Sequence, residues 1–327
     1  MTQIPFFAID PMLESSVGWK ILGIVIAKVI TVFTIGLLAT MFMVWFERKI
    51  VSGMQNRIGP NKAGPFGILQ TVADGVKLIF KEDFMPEKAD RKVYVLAPFL
   101  AFVPALLLWL VLPLGGDFSN GKNGEVTVFG EVTRIQLMDA PVGILFVLAL
   151  SSIGVYGIML AGWSSGSKYP LLGSVRASAQ MISYEAALGL SVGTVLLMSG
   201  SVQISDIVSG QHGLMNWNVV ATGVVPFIIF FIAMTAELNR PPFDLVEAEQ
   251  ELVGGFNTEY AGFQFALFFL AEFMNVVTMS AVMVTLFLGG PQPLLIGGFD
   301  LFGWMPWGLG GSLWLGLKVL VFLYVYV

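Results

Sequence analysis

Long apolar runs alternate with polar connections along almost the whole chain. A helix needs roughly 20 predominantly apolar residues to cross a bilayer, and most of the runs are about that length. The pattern therefore predicts an all-α, polytopic membrane protein that forms a single integral membrane domain over residues 1–327. The seven apparent transmembrane helices cover about 19–45, 94–114, 141–162, 177–199, 219–236, 263–288 and 312–327.

The connection after the first run contains a different periodicity. Pro65 is well placed to begin a helix, and Leu69, Val72, Val76 and Ile79 then recur at helical spacing. We expect an amphipathic helix that lies in the membrane interface and does not cross it. Such a helix is either a passive anchor or one wall of a cavity that opens to lipid.

The composition narrows the possible functions. Hydrophobic residues make up 56% of the chain and charged residues 12%, with a mean hydropathy of +0.81, which is not the composition of a soluble domain. With no cysteine and one histidine, the chain cannot ligate an iron–sulfur cluster through cysteine or a haem through two histidines. The sequence also has no clustered basic face for binding nucleic acid. Because the chain lacks ligands for such redox centres, any electron transfer would occur on a partner.

Lysine and arginine are distributed unevenly over the connections. Of the 17 such residues, twelve follow runs one, three and five, and three lie on the opposite side. The positive-inside rule places the N-terminus outside and makes the loops at about 46–93, 163–176 and 237–262 cytoplasmic. The other two, Lys28 and Lys318, fall inside runs, where we expect their side chains to extend towards the membrane surface.

The third of these loops is unusually acidic, with six carboxylates against one base, Arg240. They are Glu237, Asp244, Glu247, Glu249, Glu251 and Glu259. Asp244 and Glu247 have capping-box spacing, and the helix dipole favours acids in a first turn. That explanation fails for Glu251, which lies near the C-terminal end, just before the helix stop expected at Gly254. The segment therefore indicates more than a local helix cap.

Two further carboxylates lie inside apolar runs. Glu185 is the ninth residue of run four and Glu272 the tenth of run six, so each lies roughly 12–14 Å from the cytoplasmic end. Glu237 closes run five at the cytoplasmic edge. Acids inside membranes are rare and usually line proton or substrate paths, although a protonated glutamate bonded to a backbone carbonyl is a structural alternative. The matching depth favours a proton relay.

Five short motifs carry a resemblance to a known family. They are Glu47-Arg48-Lys49, residues 55–61, Ser183-Tyr184-Glu185, residues 236–244 and residues 255–260. With these motifs the chain resembles the H-type membrane subunits of the bacterial proton-pumping NADH:quinone oxidoreductase, respiratory complex I, which are the counterparts of mitochondrial NADH dehydrogenase subunit 1. The resemblance covers nearly the whole chain, and the stretch 236–260 is long and specific.

The resemblance implies a quinone chamber that is enclosed together with two soluble subunits and opens to lipid. Positions matching the chamber and its surroundings are Arg48, Arg57, Asp74, Lys77, Arg176 and Arg240. Positions matching a carboxylate-lined route towards the proton pumps are Glu185, Glu237, Asp244, Glu247, Glu249, Glu251, Glu259 and Glu272.

The same resemblance implies an obligate hetero-oligomer in the cell inner membrane, which includes hydrophilic subunits at the quinone site and small membrane subunits. Quinone, either ubiquinone or menaquinone, would be the substrate. FMN and iron–sulfur clusters would lie on partner subunits, and this chain would bind no metal. The family normally has eight spans, whereas this sequence shows seven and ends at Val327 inside an apolar run.

Two other functions remain open. The equivalent subunit of a membrane-bound hydrogenase would share the acids but would need no quinone chamber. A stand-alone proton-coupled transporter would explain the intramembrane acids, but it would leave the long mixed-charge connections without partners.

The distribution of lysine and arginine makes the orientation testable, because the chain has no cysteine of its own. A thiol reagent confined to the cytoplasm should label Lys62→Cys and Glu247→Cys but not Lys122→Cys. Labelling of position 122 from the cytoplasm would contradict the predicted orientation.

Overall fold

Helices follow most of the predicted apolar runs. The computed structural model describes residues 10–13, 18–118, 122–244, 249–294, 300, 302–305 and 308–327. Within these ranges, six helices are long and apolar enough to cross a membrane, as an all-α polytopic membrane protein requires. They are α1 (Trp19–Met54), α3 (Arg91–Leu107, extended by a 3-10 turn at Leu108–Leu110), α4 (Gly143–Ser164), α5 (Lys168–Ser199), α10 (Gly262–Phe287) and α11 (Leu309–Tyr326).

Shorter elements connect the long helices. They are α2 (Gln70–Phe80), β1 (Glu125–Val128), β2 (Glu131–Arg134), α6 (Ile204–Gly210), α7 (Asn218–Ala221), α8 (Val224–Glu237) and α9 (Glu249–Leu252). We call the end of the bundle that carries β1 and β2 the hairpin end, and the end at which α1 is followed by α2 the α2 end.

The helix α10 lies at the centre of the bundle. In its most apolar 18-residue stretch 78% of the residues are buried, against 17% in α1, and it contacts α1, α3 and α11. A helix that is apolar on every face is expected to be enclosed by others. Around it, α3, α4, α5 and α8 pack side by side in that order.

Small residues allow α3 and α4 to approach closely. A Cβ atom added at Gly157 of α4 would lie 2.6 Å from the backbone nitrogen of Ala101 in α3, closer than such atoms can come. Without water to drive association in a membrane, helix packing depends on such close contacts between small residues. This pair therefore fixes α4, which carries part of the site described below, against its neighbour.

The fifth predicted run is not one continuous helix. The helix α7 ends at Ala221 and α8 begins at Val224, because Gly223 between them adopts a φ of +77°, in the left-handed region that glycine tolerates. With 14 residues, α8 is roughly 21 Å long, shorter than the roughly 30 Å hydrocarbon core of a bilayer. Its last residue, Glu237, can therefore lie inside the bundle.

Two helices extend beyond their apolar runs. The helix α1 continues to Met54, and α5 begins at Lys168 instead of residue 177. Glu47, Arg48 and Arg176, which we expected in loops, therefore lie on helices. Charged residues do not end a helix, and apolarity alone located these boundaries wrongly.

The predicted interfacial helix is present as α2. It begins at Gln70, after a 3-10 turn at Pro65–Gly67, and the hydroxyl of Thr71 donates to the carbonyl of Met41 in α1. Its apolar stripe is exposed, as an interfacial helix requires. The exposed residues are Leu69, Val72, Val76 and Ile79.

The short hairpin of β1 and β2 is an element that the sequence pattern did not predict. Its antiparallel register pairs Glu125 with Arg134, and Arg134 also donates to Asp139. Gln203 and Ser205 donate to the same buried carboxylate, so the hairpin is joined to α6. Four-residue strands are too short to show an alternating pattern of their own.

Both lysines inside the spans have protein partners. The amine of Lys318 donates to the carbonyls of Leu288, Gly290 and Gln292, at 2.8–2.9 Å, where α10 ends. The side chain of Lys28 is paired with Asp10, and its amine donates to the carbonyl of Arg134 in the hairpin. A charge inside a bundle is tolerated when protein groups replace its water, and the C-terminus of a helix is a favourable site for a cation.

Lys318→Met should reduce the thermal stability of the full chain, because it leaves the three carbonyls at the end of α10 without their donor. An unsatisfied buried polar group costs about 1–3 kcal/mol. Thermal denaturation of the purified chain in detergent measures the effect, with Leu317→Met at the neighbouring, half-exposed position as the control. Equal denaturation temperatures for the two variants would contradict this role of Lys318.

Candidate functional site

Two of the predicted carboxyls contact neighbouring serines in the middle of α4. The hydroxyl of Ser151 lies 2.5 Å from Oε1 of Glu237, and the hydroxyl of Ser152 hydrogen bonds to Oε1 of Glu185. Ser151 lies thirteen residues before the end of α4 at Ser164, roughly 20 Å along the helix. Both carboxyls therefore lie deep in the bundle, and the prediction of Glu237 at the edge is wrong.

A small cavity joins Ser151 and Glu237 to Glu272. It has a volume of about 70 Å³, and its walls include Ser151, Glu237, Glu272, Asn239 and Asn275. Among the described residues, Oε2 of Glu237 has no hydrogen-bond partner. One water needs roughly 10–15 Å³ of such space and two or more polar partners, so the cavity can hold water between the carboxyls.

The predicted match in depth between Glu185 and Glu272 does not follow from counting along their helices. Glu185 is the eighteenth residue of α5, which begins well outside its apolar run, and Glu272 is the eleventh of α10. Contacts bring them to one level instead, because Ser151 and Ser152 are adjacent and Ser151 shares the cavity with Glu272.

The guanidinium of Arg240 connects the cavity to α1. Its Nη1 donates to Oε2 of Glu47 at 2.9 Å, and its Nη2 lies 3.6 Å from Oε1 of Glu272. The ring of Phe273 packs against the guanidinium at 4.7 Å from its centroid. Arg240 is buried, so water screens these charges weakly. One cation is therefore shared by two carboxylates from different helices.

A second, larger pocket lies at the α2 end. It has a volume of about 390 Å³, and Glu47, Arg48 and Arg57 are among its lining residues, together with Ile58 and Pro60. The same carboxylate that contacts Arg240 thus also faces this pocket. Polar groups here come from α1 and from the turn that follows it.

Asp74 of α2 is held by residues from two helices. Arg48 of α1 forms an ion pair with it, and Gln70 of α2 donates to its other oxygen at 3.0 Å. Burial raises the pKa of Asp74, but these hydrogen bonds and the charges of Arg48 and Lys77 outweigh burial and lower it. Lys77 itself is exposed on α2. Asp74 is therefore ionised at neutral pH, and it ties α2 to α1.

The acidic segment is only partly gathered at this site. Glu251 pairs with Arg176 at 2.7 Å on the surface, where ion pairs contribute little to stability. Asp244 is exposed, although the surrounding protein removes enough water to raise its pKa, against the opposing charge of Arg240. Glu247 and the side chain of Glu249 lie outside the described part of the chain.

A pair of tyrosines fixes the end of this segment next to α3. The rings of Tyr94 and Tyr260 are stacked at 4.1 Å, and the hydroxyl of Tyr94 donates to the backbone carbonyl of Glu259 at 2.6 Å. In return, the hydroxyl of Tyr260 donates to the carbonyl of Tyr94. Burial raises the pKa of Tyr260 to about 12, so it remains a neutral donor. This contact positions the backbone at Glu259.

Four residues of the site were not predicted to be functional. They are Glu47, Ser151, Ser152 and Gln180. Gln180 of α5 donates to the carbonyls of Ala236 and Phe243, which lie on either side of Arg240. The sequence signal for Ser151 and Ser152 was that two consecutive serines lie in the middle of an apolar run. The signal for Glu47 was its place in one of the motifs that carry the family resemblance.

Comparison with known proteins identifies the family of this chain. A family model described as NADH dehydrogenase matches residues 27–327. The chain is 49% identical over 323 residues to the H-type subunit of the NADH-quinone oxidoreductase of Frankia casuarinae, with 98% of this chain and 66% of the relative covered. It is 46% identical over 309 residues to the protein of that name from Streptomyces avermitilis, with 93% and 65% covered.

A third relative of the same name, from Cutibacterium acnes, is 48% identical over 320 residues, with 93% of this chain and 70% of the relative covered. The chain thus spans about two thirds of the length of these curated relatives. The match to the family model over residues 27–327 and these identities confirm the resemblance carried by the motifs, and the chain belongs to the NADH dehydrogenase family.

Proposed function

We propose that this chain is the membrane subunit of an NADH-quinone oxidoreductase that helps to form the quinone chamber and couples quinone reduction to proton translocation. The observation that carries the proposal is the position of Arg240, which contacts Glu47 at the pocket and Glu272 at the cavity. A change of charge in the pocket can therefore act on a carboxyl inside the bundle.

The pocket at the α2 end supports the binding of a quinone head group. Binding sites for such molecules combine mostly apolar walls with a few placed polar groups. Arg48 and Arg57 supply donors at the pocket, and Asp74 fixes the side chain of Arg48. The exposed apolar stripe of α2 offers a surface for the lipophilic tail. Lys77 and Arg176 lie on exposed surfaces at this end, where they could contact the partner subunits that complete the chamber.

The carboxyls supply the coupling in this proposal. Reduction of quinone changes the charge near Glu47, and Arg240 redistributes its contacts between Glu47 and Glu272. Glu272 then exchanges protons with Glu237 through the cavity. Glu185, which is hydrogen bonded to the serine next to the partner of Glu237, extends this path. Asp244, Glu247, Glu249, Glu251 and Glu259 form the approach to this path from the acidic segment. Carboxyls away from bulk water respond to small changes in local field, which suits such a relay.

The remaining chemistry would belong to partners. The relatives are named as subunits of NADH-quinone oxidoreductases, which favours this assignment over a hydrogenase subunit or a stand-alone transporter. Quinone would be the substrate, and FMN and iron–sulfur clusters would lie on other subunits of an obligate hetero-oligomer. We place the single integral domain in the cell inner membrane, with the α2 end in the cytoplasm.

Glu185→Gln and Glu272→Gln test the relay. Glutamine keeps the shape of glutamate and its capacity to hydrogen bond, but it does not titrate. In an assembled complex each variant should lose most of its quinone reductase activity and its proton pumping together, since the coupled cycle stalls. Quinone reductase activity and proton pumping are measured in membrane vesicles, with NADH as the electron donor.

Glu131→Gln is the matched control, because it removes the same charge from the exposed hairpin. It should keep both activities. Full activity and pumping in both relay variants would leave Glu185 and Glu272 as neutral structural acids and would overturn the proposal.

Arg57→Ala and Asp74→Asn test the pocket. Either change should raise the quinone concentration needed for half-maximal turnover. Arg57→Ala removes a polar group from the pocket, and Asp74→Asn weakens the ion pair that holds Arg48 against α2. Loss of one hydrogen bond to a charged group corresponds to about a tenfold effect. NADH oxidation by an artificial acceptor should not change, and equal loss of both activities would indicate failed assembly instead.

A further inference from the structure

The helix α4 is apolar along most of its length, yet it carries two consecutive serines at its centre. Close packing of α4 against α3 is already provided by Gly157. Each serine instead contacts a carboxyl from a different helix, Glu237 of α8 and Glu185 of α5. Both hydroxyls therefore interact with groups that the proposed function requires to change protonation.

The contacts of Ser152 suit both protonation states of its partner. Its hydroxyl has one proton to donate and two lone pairs to accept with. Besides Glu185, it lies 3.0 Å from the carbonyl of Leu148, one turn earlier in α4. When Glu185 is ionised, the hydroxyl can donate to the carboxylate. When Glu185 is protonated, its O–H can donate to the serine oxygen while the serine donates to Leu148.

Rotation of one O–H bond is thus enough to keep both forms of Glu185 hydrogen bonded. An alanine at this position would remove this partner from both forms of Glu185, and loss of a hydrogen-bond partner away from bulk water is costly. Ser151 contacts Oε1 of Glu237, to which its hydroxyl can donate when Glu237 is ionised and from which it can accept when Glu237 is protonated. The other oxygen of Glu237 lacks a partner among the described residues. Within the described part of the chain, Ser151 therefore supplies the side-chain hydrogen bond of Glu237.

We propose that Ser151 and Ser152 are positioning residues of the proton path, which keep Glu237 and Glu185 hydrogen bonded in both protonation states. This inference rests on the proposed function, because it assigns a role only if these carboxyls titrate during turnover. Adjacent residues of a helix do not face each other, so each serine serves its own carboxyl and the pair does not form a direct link.

The test uses Ser151→Ala and Ser152→Ala in the assembled complex, with Ser151→Thr and Ser152→Thr as the conservative variants. Threonine retains the hydroxyl, so it should restore most of the activity. Each alanine variant should lower quinone-linked turnover and pumping by about fivefold to tenfold, the effect of losing one hydrogen bond. Ser191→Ala removes a hydroxyl that donates within α5 to Leu188, and it should have no such effect.

Infrared difference spectroscopy during turnover supplies a second measurement. A protonated carboxyl that loses a hydroxyl partner absorbs at a higher carbonyl stretching frequency. The band that disappears in Glu185→Gln should therefore shift upwards in Ser152→Ala and return in Ser152→Thr. Packing alone would not move this band.

The outcomes separate this inference from the proposed function. Full activity of both Glu185→Gln and Glu272→Gln would overturn the proposed function and this inference together. An inactive Glu185→Gln together with a fully active Ser152→Ala and an unshifted band would overturn the role of the serine alone. Equal loss of assembly in the alanine and threonine variants would show that the serines act through packing, which also overturns the inference.

Discussion

Charged and polar groups inside this bundle need protein partners, because the hydrocarbon around it provides none. The structure meets this constraint in a different way at each site. Lys318 donates to backbone carbonyls at the end of α10, and Lys28 pairs with Asp10, which lies outside the helices. Glu237 depends on a serine, and Arg240 on two glutamates. The contacts of Glu237 and Arg240 connect residues from α1, α4, α8 and α10.

The constraint also explains why the short helix α8 matters. Because α8 ends inside the bundle, the chain after Glu237 turns back among the other helices, and Arg240 lies next to α1 and α10. Gln180 holds this turn by donating to carbonyls on both sides of Arg240. A helix of full length would have carried both charges out of the bundle. The site therefore exists because one span is incomplete.

Much of the fold could be predicted from apolar runs, and the residue classes of the site from the rarity of acids inside them. The depth of Glu237 in the bundle could not be predicted, because hydropathy does not show that Gly223 interrupts the fifth apolar run. The ends of α1 and α5 were also misplaced, because charged residues continue a helix as readily as apolar ones when water surrounds them. The contacts of Ser151 and Glu47 depend on which helices are neighbours, and a single sequence does not determine that.

The contact of Arg240 with both Glu47 and Glu272 has a thermodynamic consequence. A cation shared by two carboxylates makes their occupancies interdependent, and such coupling is reciprocal. If a ligand in the pocket at the α2 end changes the free energy of protonating Glu272, then protonation of Glu272 changes the affinity of the pocket for that ligand by the same free energy. A proton gradient acting on the bundle would accordingly regulate how tightly the pocket holds its ligand.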